Sequence, residues 1–595
     1  MSSWGSLSRR SGRAAASAAG WTLRASGPLA RRPLAAPGLL GAEIASWAAF
    51  TPSLIPRPWP STAMTTFSAQ VSGHIVGVAA GVAARAAGRR LFPRATRAAR
   101  RRPRTRDAVA LAAHAAMSAV TVGVWLRSIG HQRTIAALVG YDELASARAQ
   151  LGGTAAGTAA FLATRAAAVG VERVHGGLTG LLRRRLPRGL APAAAGALVA
   201  AALAPPLDLL VVRRAIGRVS RRAARLNMRV LPGRVQPWEP SRSGSPWSLE
   251  PWHALGAQGR AFVADGPRAR DIAAVVGADP RDVREPIRLY AGRVPGRTLA
   301  AQTELIIREL HRTGAFRRGH LVVHTSTGTG WVPEWAPAAV EFLTRGDCAQ
   351  VSLQYSDLPS PVAWLTDRES PLAAGAALFD RVREEWARLP ADARPMLIAA
   401  GESLGAIGGQ GAFADPADLL ARVDGAVWSG SPPYAPIRRE LTRRRDPGSP
   451  EIAPVVDGGA HHRFATRPEE LWESIDGEAL GHWARPRVAW LQHASDPIVW
   501  CETPLAWRRP DWLRERRGRD VITAMRWWPL VTFWQVLVDG LTSVAVGDGH
   551  GHRYEEEMLP AFAAVLGAEF DADRGGAAGV RFARAARWIR RNSVG

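Results

Sequence analysis

The feature that most constrains the fold is an apolar run that leads directly into the sequence Gly401-Glu402-Ser403-Leu404-Gly405. The run, PMLIAAG, is apolar throughout, as in a buried strand, and the small-residue segment AIGGQGAFA after the motif can begin a helix. The pattern G-x-S-x-G alone is weak, because roughly 0.3 matches are expected by chance in a chain of this length and composition. Between a strand and a helix, however, it predicts a sharp turn that presents the Ser403 hydroxyl as a nucleophile.

Similar apolar runs recur through the C-terminal half and alternate with helical segments. One such segment, 375–390, repeats its apolar residues every four positions. Continuous apolar strands separated by helices are typical of a mostly parallel sheet with helices on both faces. The predicted strands are HLVVHTS (320–326), AQVSLQYS (349–356), PMLIAAGES (395–403), DGAVWSG (424–430), RVAWLQHASD (487–496) and TSVAVGDGH (542–550).

A serine nucleophile needs a base, and the base needs an orienting acid, in the chain order serine, acid, histidine. Asp496 ends the run RVAWLQHASD and is the candidate acid. Only two histidines lie beyond residue 500, His550 and His552, and both belong to the glycine-rich segment GDGHGHRY. His550 is closer to the preceding predicted strand and is preferred as the base, with His552 as the alternative.

The oxyanion of an acyl-transfer reaction needs backbone N–H donors beside the nucleophile. The Leu404 amide, one residue after Ser403, is the first candidate. The second donor should come from the loop after the first predicted strand, which contains Thr327, Gly328, Thr329 and Gly330.

A metal site is an alternative for the histidine loop, because Asp548, His550 and His552 lie close together in sequence. No matching cluster elsewhere supplies further ligands. We therefore predict that neither a metal nor an organic cofactor is required.

Five stretches of low polarity occupy the N-terminal part, and each is long enough to cross a bilayer core of about 30 Å. An alanine-rich soluble helical bundle is the alternative interpretation. The stretches are 37–55, 64–84, 108–126, 151–170 and 190–212. The second contains Gly73, Gly77 and Gly81 at four-residue spacing, which predicts close helix packing.

The net charge of +26 first suggests nucleic acid, but its distribution argues against that partner. Residues 1–235 hold 34 arginines and six acidic residues, whereas the remainder is nearly neutral. The arginines lie between the apolar stretches, as membrane-flanking charge does, so we predict a multi-pass protein of the cell membrane that contacts the lipid bilayer and no nucleic acid. Eight arginines in 213–234 favour a cytoplasmic C-terminal domain, which requires that one weak stretch does not cross.

Residues 231–252 are rich in proline, serine and glycine and are predicted to be a linker. The predicted domains are thus a multi-span helical membrane domain over 1–230 and a catalytic domain over 253–595. A hydrolase tethered this closely to a bilayer, and rich in tryptophan, is expected to act on an acyl or lipid-like ester.

Several segments resemble an uncharacterised bacterial family of membrane-associated α/β-hydrolases with a multi-span N-terminal domain. The segments are FTPSLIPRPW, PWHALGAQGRAFV, REPIRLYAG, RTGAF, TGTGWV, GDCAQVSLQYSDLPS, GESLG, PGSP, LQHASDPIVW and GHGHRY. The resemblance begins near residue 40 and covers nearly all of the chain after it. It implies an α/β-hydrolase fold, a membrane location and a serine-hydrolase site, but no substrate.

The sequence therefore predicts a membrane-anchored serine hydrolase of esterase or lipase type, with Ser403, Asp496 and His550 as catalytic residues. An acyltransferase, in which an alcohol replaces water, is the nearest alternative. A non-catalytic binding or transport-coupled protein with the same fold is the more distant one.

Overall fold

The computed structural model describes residues 35–91, 103–141, 146–206, 214–567 and 577–593. It forms two compact units. The first, the helical unit, comprises residues up to Val212 together with Thr503–Pro510 and Val521–Thr542. The second, the sheet unit, comprises Arg213–Glu502, Asp511–Asp520 and the residues from Ser543 onward. Two segments that the sequence assigns to the catalytic domain therefore pack within the helical unit.

The helices are numbered in chain order. They are α1 (Ala35–Ala49), α2 (Trp59–Leu91), α3 (Pro103–Leu138), α4 (Ala147–Leu182), α5 (Leu190–Pro206), α6 (Arg214–Asn227), α7 (Gly256–Ala264), α8 (Ala269–Val276), α9 (Leu299–Thr313), α10 (Trp335–Leu343), α11 (Ser360–Thr366), α12 (Glu369–Ala387), α13 (Leu404–Gln410), α14 (Pro416–Arg422), α15 (Pro436–Arg443), α16 (Pro497–Trp500), α17 (Val531–Asp539), α18 (Met558–Leu566) and α19 (Ala577–Asn592).

The sheet unit is built on seven strands in the order β1-β3-β2-β4-β5-β7-β6, and all of its pairs are parallel. The strands are β1 (Ile287–Ala291), β2 (His320–Thr325), β3 (Cys348–Leu353), β4 (Met396–Glu402), β5 (Gly425–Ser429), β6 (His462–Ala465) and β7 (Arg487–Leu491). Helices α9 and α12 contribute to the apolar core on one face, and α10, α18 and α19 contribute to the core on the other. The predicted parallel sheet with helices on both faces is confirmed, and its strands all end at one edge.

Five of the six predicted strands are present, but TSVAVGDGH is not a strand. Its residues form a short 3-10 helix and turns, and Val544 is exposed. The Ser543 carbonyl instead accepts a hydrogen bond from the amide of His552 at 2.9 Å. The segment is not a strand because its backbone bonds to the histidine loop and does not pair with the sheet.

The predicted linker at 231–252 is ordered and packs against β1. Arg242 is fully buried and donates to three carbonyls of the segment 263–267, at 2.9, 2.7 and 3.0 Å. Glu250 is also buried and accepts from Arg297 at 2.8 Å. The proline- and serine-rich composition therefore does not mark a flexible tether here, because buried ion pairs and carbonyl contacts hold the segment.

Two described helices are long and apolar enough to cross a membrane, α2 with 33 residues and α4 with 36. Helix α3 has 36 residues but does not meet the same measure of apolarity. The described parts of α1 and α5 have 15 and 17 residues, which at about 1.5 Å per residue span less than a bilayer core. The five predicted spans thus coincide with five helices, of which two are candidate spans.

Small residues bring α1 and α2 together, as their spacing predicts. A Cβ atom on Gly73 would lie 2.2 Å from the Gly41 carbonyl oxygen, and one on Gly77 would lie 2.2 Å from the Pro37 carbonyl oxygen. Larger residues would push the two helices apart, so this contact depends on glycine.

Helix α17 belongs to the helical unit through polar contacts to the end of α1. The Gln535 side chain donates to the carbonyls of Ala48 and Thr51, at 3.2 and 3.0 Å. The Asp539 carboxylate accepts from the Leu54 amide at 3.1 Å. Helix α17 is therefore anchored on the helices of the N-terminal half.

Candidate active site

Ser403 lies at a sharp turn between β4 and α13. Its backbone dihedrals are φ 56° and ψ −120°, which cost a non-glycine residue on the order of 1–3 kcal/mol. Its amide donates to the Ser429 carbonyl at the end of β5 at 2.9 Å. A Cβ atom on Gly401 would lie 2.4 Å from the Gly405 carbonyl oxygen, and one on Gly405 would lie 2.1 Å from the Thr325 carbonyl oxygen. Both glycines of the motif are required because backbone approaches them so closely.

Asp496 is fully buried at the N-cap of α16 and holds His552. Its Oδ1 accepts from the Ile498 amide at 2.8 Å. Its Oδ2 accepts from His552 Nδ1 at 2.7 Å and from the Tyr554 hydroxyl at 2.8 Å. With Nδ1 as the donor, His552 Nε2 carries the lone pair, and Nε2 is buried without a hydrogen-bond partner. This pair leaves one imidazole nitrogen ready to accept a proton.

The structure does not bring His550 to Asp496, so the preference for His550 over His552 is corrected. His550 Nδ1 lies 3.4 Å from the carboxylate of a different residue, Asp520. The loop reverses sharply at Gly549 and Gly551, whose φ values are 76° and 53°. Because of these reversals, two histidines that are two positions apart meet different carboxylates, which proximity to a strand end does not reveal.

The His552 ring packs against the same strand end that holds the serine turn. A Cβ atom on Gly430 would lie 2.4 Å from His552 Cε1, so a larger residue there would displace the ring. The neighbouring residue, Ser429, is the one whose carbonyl accepts from the Ser403 amide. The end of β5 therefore supports both the serine turn and the histidine.

A second buried pair, His493 and Glu557, braces the loop that carries His552. His493 Nε2 lies 2.7 Å from Glu557 Oε2, and its Nδ1 donates to the Gly551 carbonyl at 2.8 Å. The His493 ring also stacks on Tyr554 with centroids 4.1 Å apart. Burial lowers the pKa of His493, but the Glu557 carboxylate outweighs burial and raises that pKa to about 9. The pair is therefore charged at neutral pH. Through His493 it connects Gly551, the residue before His552, to Glu557 at the start of α18.

This pair predicts a loss of stability in alkaline solution. Because the folded-state pKa of His493 is raised to about 9, its contribution is full below the unfolded value of about 6.5 and declines as pH rises through about 9. We expect Glu557→Gln to lower the free energy of unfolding by about 3–5 kcal/mol near pH 6 and to flatten the decline between these values. Melting temperatures measured against pH for both proteins provide the check.

The matched control for this measurement is Glu556→Gln. Glu556 is the neighbouring residue, is partly exposed and pairs with Arg590 at the surface. It should keep the wild-type pH dependence, because surface pairs contribute little. An unchanged alkaline decline in Glu557→Gln would contradict the assignment.

The loop predicted to form the oxyanion hole supplies fewer free amides than expected. The Thr327 amide donates to the Trp331 carbonyl at 2.9 Å, and the Gly330 amide donates to the Thr327 carbonyl at 2.8 Å. Thr327 and Gly330 are therefore corrected as amide donors, because their N–H groups close the turn. The amides of Gly328 and Thr329 remain candidates.

Leu404 starts α13, and the first amides of a helix have no acceptor inside the helix. The next residue, Gly405, lies against the carbonyls of Thr325 and Ser326 at the end of β2. Thr327 is buried, and its hydroxyl has no hydrogen-bond partner. The residue after Leu404 thus contacts the backbone that directly precedes the 327–329 segment.

Glu402 places a buried carboxyl beside the histidine. Its Oε2 accepts from the Ser429 hydroxyl at 3.1 Å, and burial raises its pKa to about 7. Burial lowers the pKa of His552, but the carboxylates of Asp496 and, to a smaller extent, Glu402 raise it above its ordinary value. The second residue of the G-x-S-x-G motif is therefore an ionisable part of the site.

The metal alternative is not supported by the geometry. His550 faces Asp520, His552 faces Asp496, and Asp548 accepts from the Gly549 amide at 3.0 Å. Within the described ranges, no group of three or more histidine, cysteine, aspartate or glutamate side chains could hold a metal ion.

Sequence reasoning missed several residues of this site, namely Glu402, Ser495, Asp520, Tyr554 and Glu557. Tyr554 and Glu557 lie just after His552 in GHGHRYEEE, but nothing in that pattern shows which partners they meet. Ser495 donates to Asp520 and accepts from the Gly551 amide at 2.8 Å. Ser495, Asp520 and Tyr554 bond directly to the histidine loop or to Asp496. Glu557 holds the loop through His493, and Glu402 bonds to Ser429. Only the folded chain reveals these contacts.

Residues 287–574 match a model described as an alpha/beta-hydrolase family, and residues 50–267 match the model of that family's N-terminus. Neither the curated proteins nor the solved structures contain a match. The two models together cover most of the chain, and the parallel sheet with its serine turn fits the fold they describe. The chain therefore belongs to this alpha/beta-hydrolase family, both in its N-terminal part and in its hydrolase-like domain.

Proposed function

We propose that the chain is a membrane-anchored serine hydrolase of the esterase or lipase type, acting through an acyl-enzyme on Ser403. The observation that carries this proposal is the buried pair of Asp496 and His552, joined at 2.7 Å with His552 Nε2 unpartnered. The pair stands at the strand end that also holds the Ser403 turn. A nucleophile, a base and an orienting acid are the groups that acyl transfer through serine requires.

In this mechanism His552 Nε2 takes the Ser403 proton as Oγ attacks the carbonyl carbon of an ester. The resulting oxyanion is stabilised by the Leu404 amide and by the amides of Gly328 and Thr329. Collapse of the intermediate breaks the ester bond, and the departing alcohol receives the proton from His552. Water then attacks the acyl-enzyme and gives a proton to Nε2. The bond to Ser403 Oγ breaks, Oγ receives that proton from His552, and the carboxylic acid leaves.

Covalent labelling of the purified full chain by a fluorophosphonate tests the proposal. We expect one adduct, mapped by peptide mass spectrometry to Ser403 and absent from Ser403→Ala. Ser431→Ala is the matched control, because Ser431 is also buried, on a neighbouring strand end, but accepts a hydrogen bond from Gln410 at 2.9 Å. A folded protein that resists labelling would count against a serine enzyme.

Membrane anchoring is supported by the exposure of the two long helices. Only 17% of the most apolar window of α2 and of α4 is buried, whereas a core helix of a soluble protein is mostly buried. Apolar side chains of α2 such as Ile75 and Val76 are more than half exposed. At about 1.5 Å per residue both helices exceed a bilayer core.

We also propose that the substrate is an acyl or lipid-like ester. Catalytic efficiency toward nitrophenyl esters in mixed micelles should rise about tenfold or more from acetate to decanoate, since each buried methylene contributes about 0.8 kcal/mol. Rates measured across the chain-length series provide the check. Equal turnover of short and long esters, with and without micelles, would argue against a lipid-like substrate.

The catalytic domain is proposed to face the cytoplasm, as the arginines of 213–234 favour. Fusions at residue 240 should give cytoplasmic fluorescence and no activity of a phosphatase that works only outside. Phosphatase activity without fluorescence would reverse the orientation.

A further inference from the structure

Helix α6, at the start of the sheet unit, carries a concentration of charge that the catalytic site does not use. Its 14 residues contain five arginines and no acid. These arginines are exposed, and within the described part of the chain none has an acidic partner; they are Arg214, Arg218, Arg221, Arg222 and Arg225. Arg229, just beyond the helix, is exposed as well.

The arginines share one face of the helix. At 100° per residue, positions 214, 218, 221 and 225 fall within a narrow stripe and Arg222 borders it. Ala223 and Asn227, which are buried, lie on the opposite side. The helix therefore packs on the domain by one face and presents a continuous row of cations with the other.

Exposed apolar side chains continue from the end of this helix. Leu226, Met228 and Val230 are 46%, 66% and 53% exposed. Farther along, Trp238 is exposed and packs edge-to-face on Trp247 with centroids 5.0 Å apart. Arginine beside exposed tryptophan and aliphatic side chains is the composition of surfaces that lie in a membrane interface.

The end of α6 is fixed beside the catalytic edge of the sheet. The Asn227 amide group donates to Gln354 and Asp357, at 3.3 and 3.2 Å, and its oxygen accepts from the Ala257 amide at 3.0 Å. Gln354 directly follows β3, so it lies at the edge where the parallel strands end. Ser403 and Asp496 follow strands of the same sheet at that edge.

We propose that α6 and the apolar side chains of Leu226, Met228 and Val230 form a binding surface for the anionic headgroups of a lipid bilayer, separate from any spanning helix. Headgroup phosphates complement the arginine row, and the apolar residues enter the interface beside them. This contact holds the catalytic edge near the bilayer. The proposed binding surface depends neither on which histidine is the base nor on how many helices span the membrane.

An environment-sensitive fluorophore on Met228→Cys of the full chain tests this surface. The two native cysteines are buried, so labelling is selective. The labelled chain is reconstituted with vesicles of phosphatidylcholine alone or of phosphatidylcholine containing phosphatidylglycerol. We expect a blue shift and quenching by lipid-borne quenchers only with phosphatidylglycerol, both reversed by salt. Free glycerol phosphate should not reproduce the shift, which separates a bilayer from a soluble phosphate.

The variant Arg218→Gln/Arg221→Gln/Arg225→Gln should lower the ratio of membrane-bound to free probe about 100-fold, at about fivefold for each charge near an anionic surface. The matched control replaces Arg308, Arg439 and Arg443, which are exposed elsewhere in the same unit, and should keep the signal despite the same loss of charge. Flotation with phosphatidylcholine vesicles reports anchoring by the helical unit independently.

Three outcomes would overturn the proposal. They are an equal shift in both vesicle types, an equal loss in the control variant, and no shift in either vesicle type while the chain binds duplex DNA through the same arginines.

Discussion

Replacing His552 with alanine is expected to lower ester turnover as far as Ser403→Ala does, by about 10⁴-fold or more, because members of a triad act as a unit and their effects do not add. His550→Ala should cost only about tenfold through disorder of its loop. The reason for the difference is geometric. His552 Nδ1 is bonded to Asp496 at 2.7 Å, whereas His550 faces Asp520 at 3.4 Å.

The two histidine variants are matched controls for each other, since they change the same side chain two positions apart in one loop. Catalytic efficiency on an ester and the rate of fluorophosphonate labelling should be measured together, with melting temperatures to confirm that each variant folds. A deeper loss in His550→Ala than in His552→Ala would return the base to His550. Wild-type turnover in both variants would show that neither histidine of the loop takes part in catalysis.

Asp496→Asn should lower turnover by about 10⁴-fold while leaving the protein folded, which is the size of the effect in other triads. The carboxylate accepts from both His552 Nδ1 and the Tyr554 hydroxyl. An amide NH₂ in that place can donate to Nδ1, so the proton of the imidazole moves to Nε2. His552 could then no longer accept the Ser403 proton.

Asp520→Asn is the matched control, because Asp520 is a buried carboxylate that faces the other histidine of the loop. Asp520→Asn should lower the melting temperature clearly but change the rate of ester turnover little. Fluorescence and circular dichroism separate loss of fold from loss of chemistry in both variants. Turnover within about tenfold of the wild type in folded Asp496→Asn would contradict the role of Asp496.

The strands that sequence analysis recovered contain a recognisable run of apolar residues, as PMLIAAG does in β4. It missed β1 and β6, the two edge strands, in which Arg288 and Arg463 interrupt the apolar run. Arg288 is nevertheless buried, because Glu341 accepts from its guanidinium at 2.6 and 2.7 Å. A partner 53 residues away in the chain neutralises the charge, and no local pattern reveals it.

The sequence by itself indicated the turn at Ser403, the position of Asp496 after a strand and the parallel sheet, because each depends on local residue order. Glycines two positions either side of Ser403 permit a turn, and an aspartate after an apolar strand falls at the sheet edge. Only the tertiary structure decided which histidine meets Asp496, since that depends on the left-handed residues Gly549 and Gly551. It also decided that α17 packs with the helical unit, because Gln535 and Asp539 bond to backbone more than 480 residues away. Contacts of that separation arise only when the whole chain is folded.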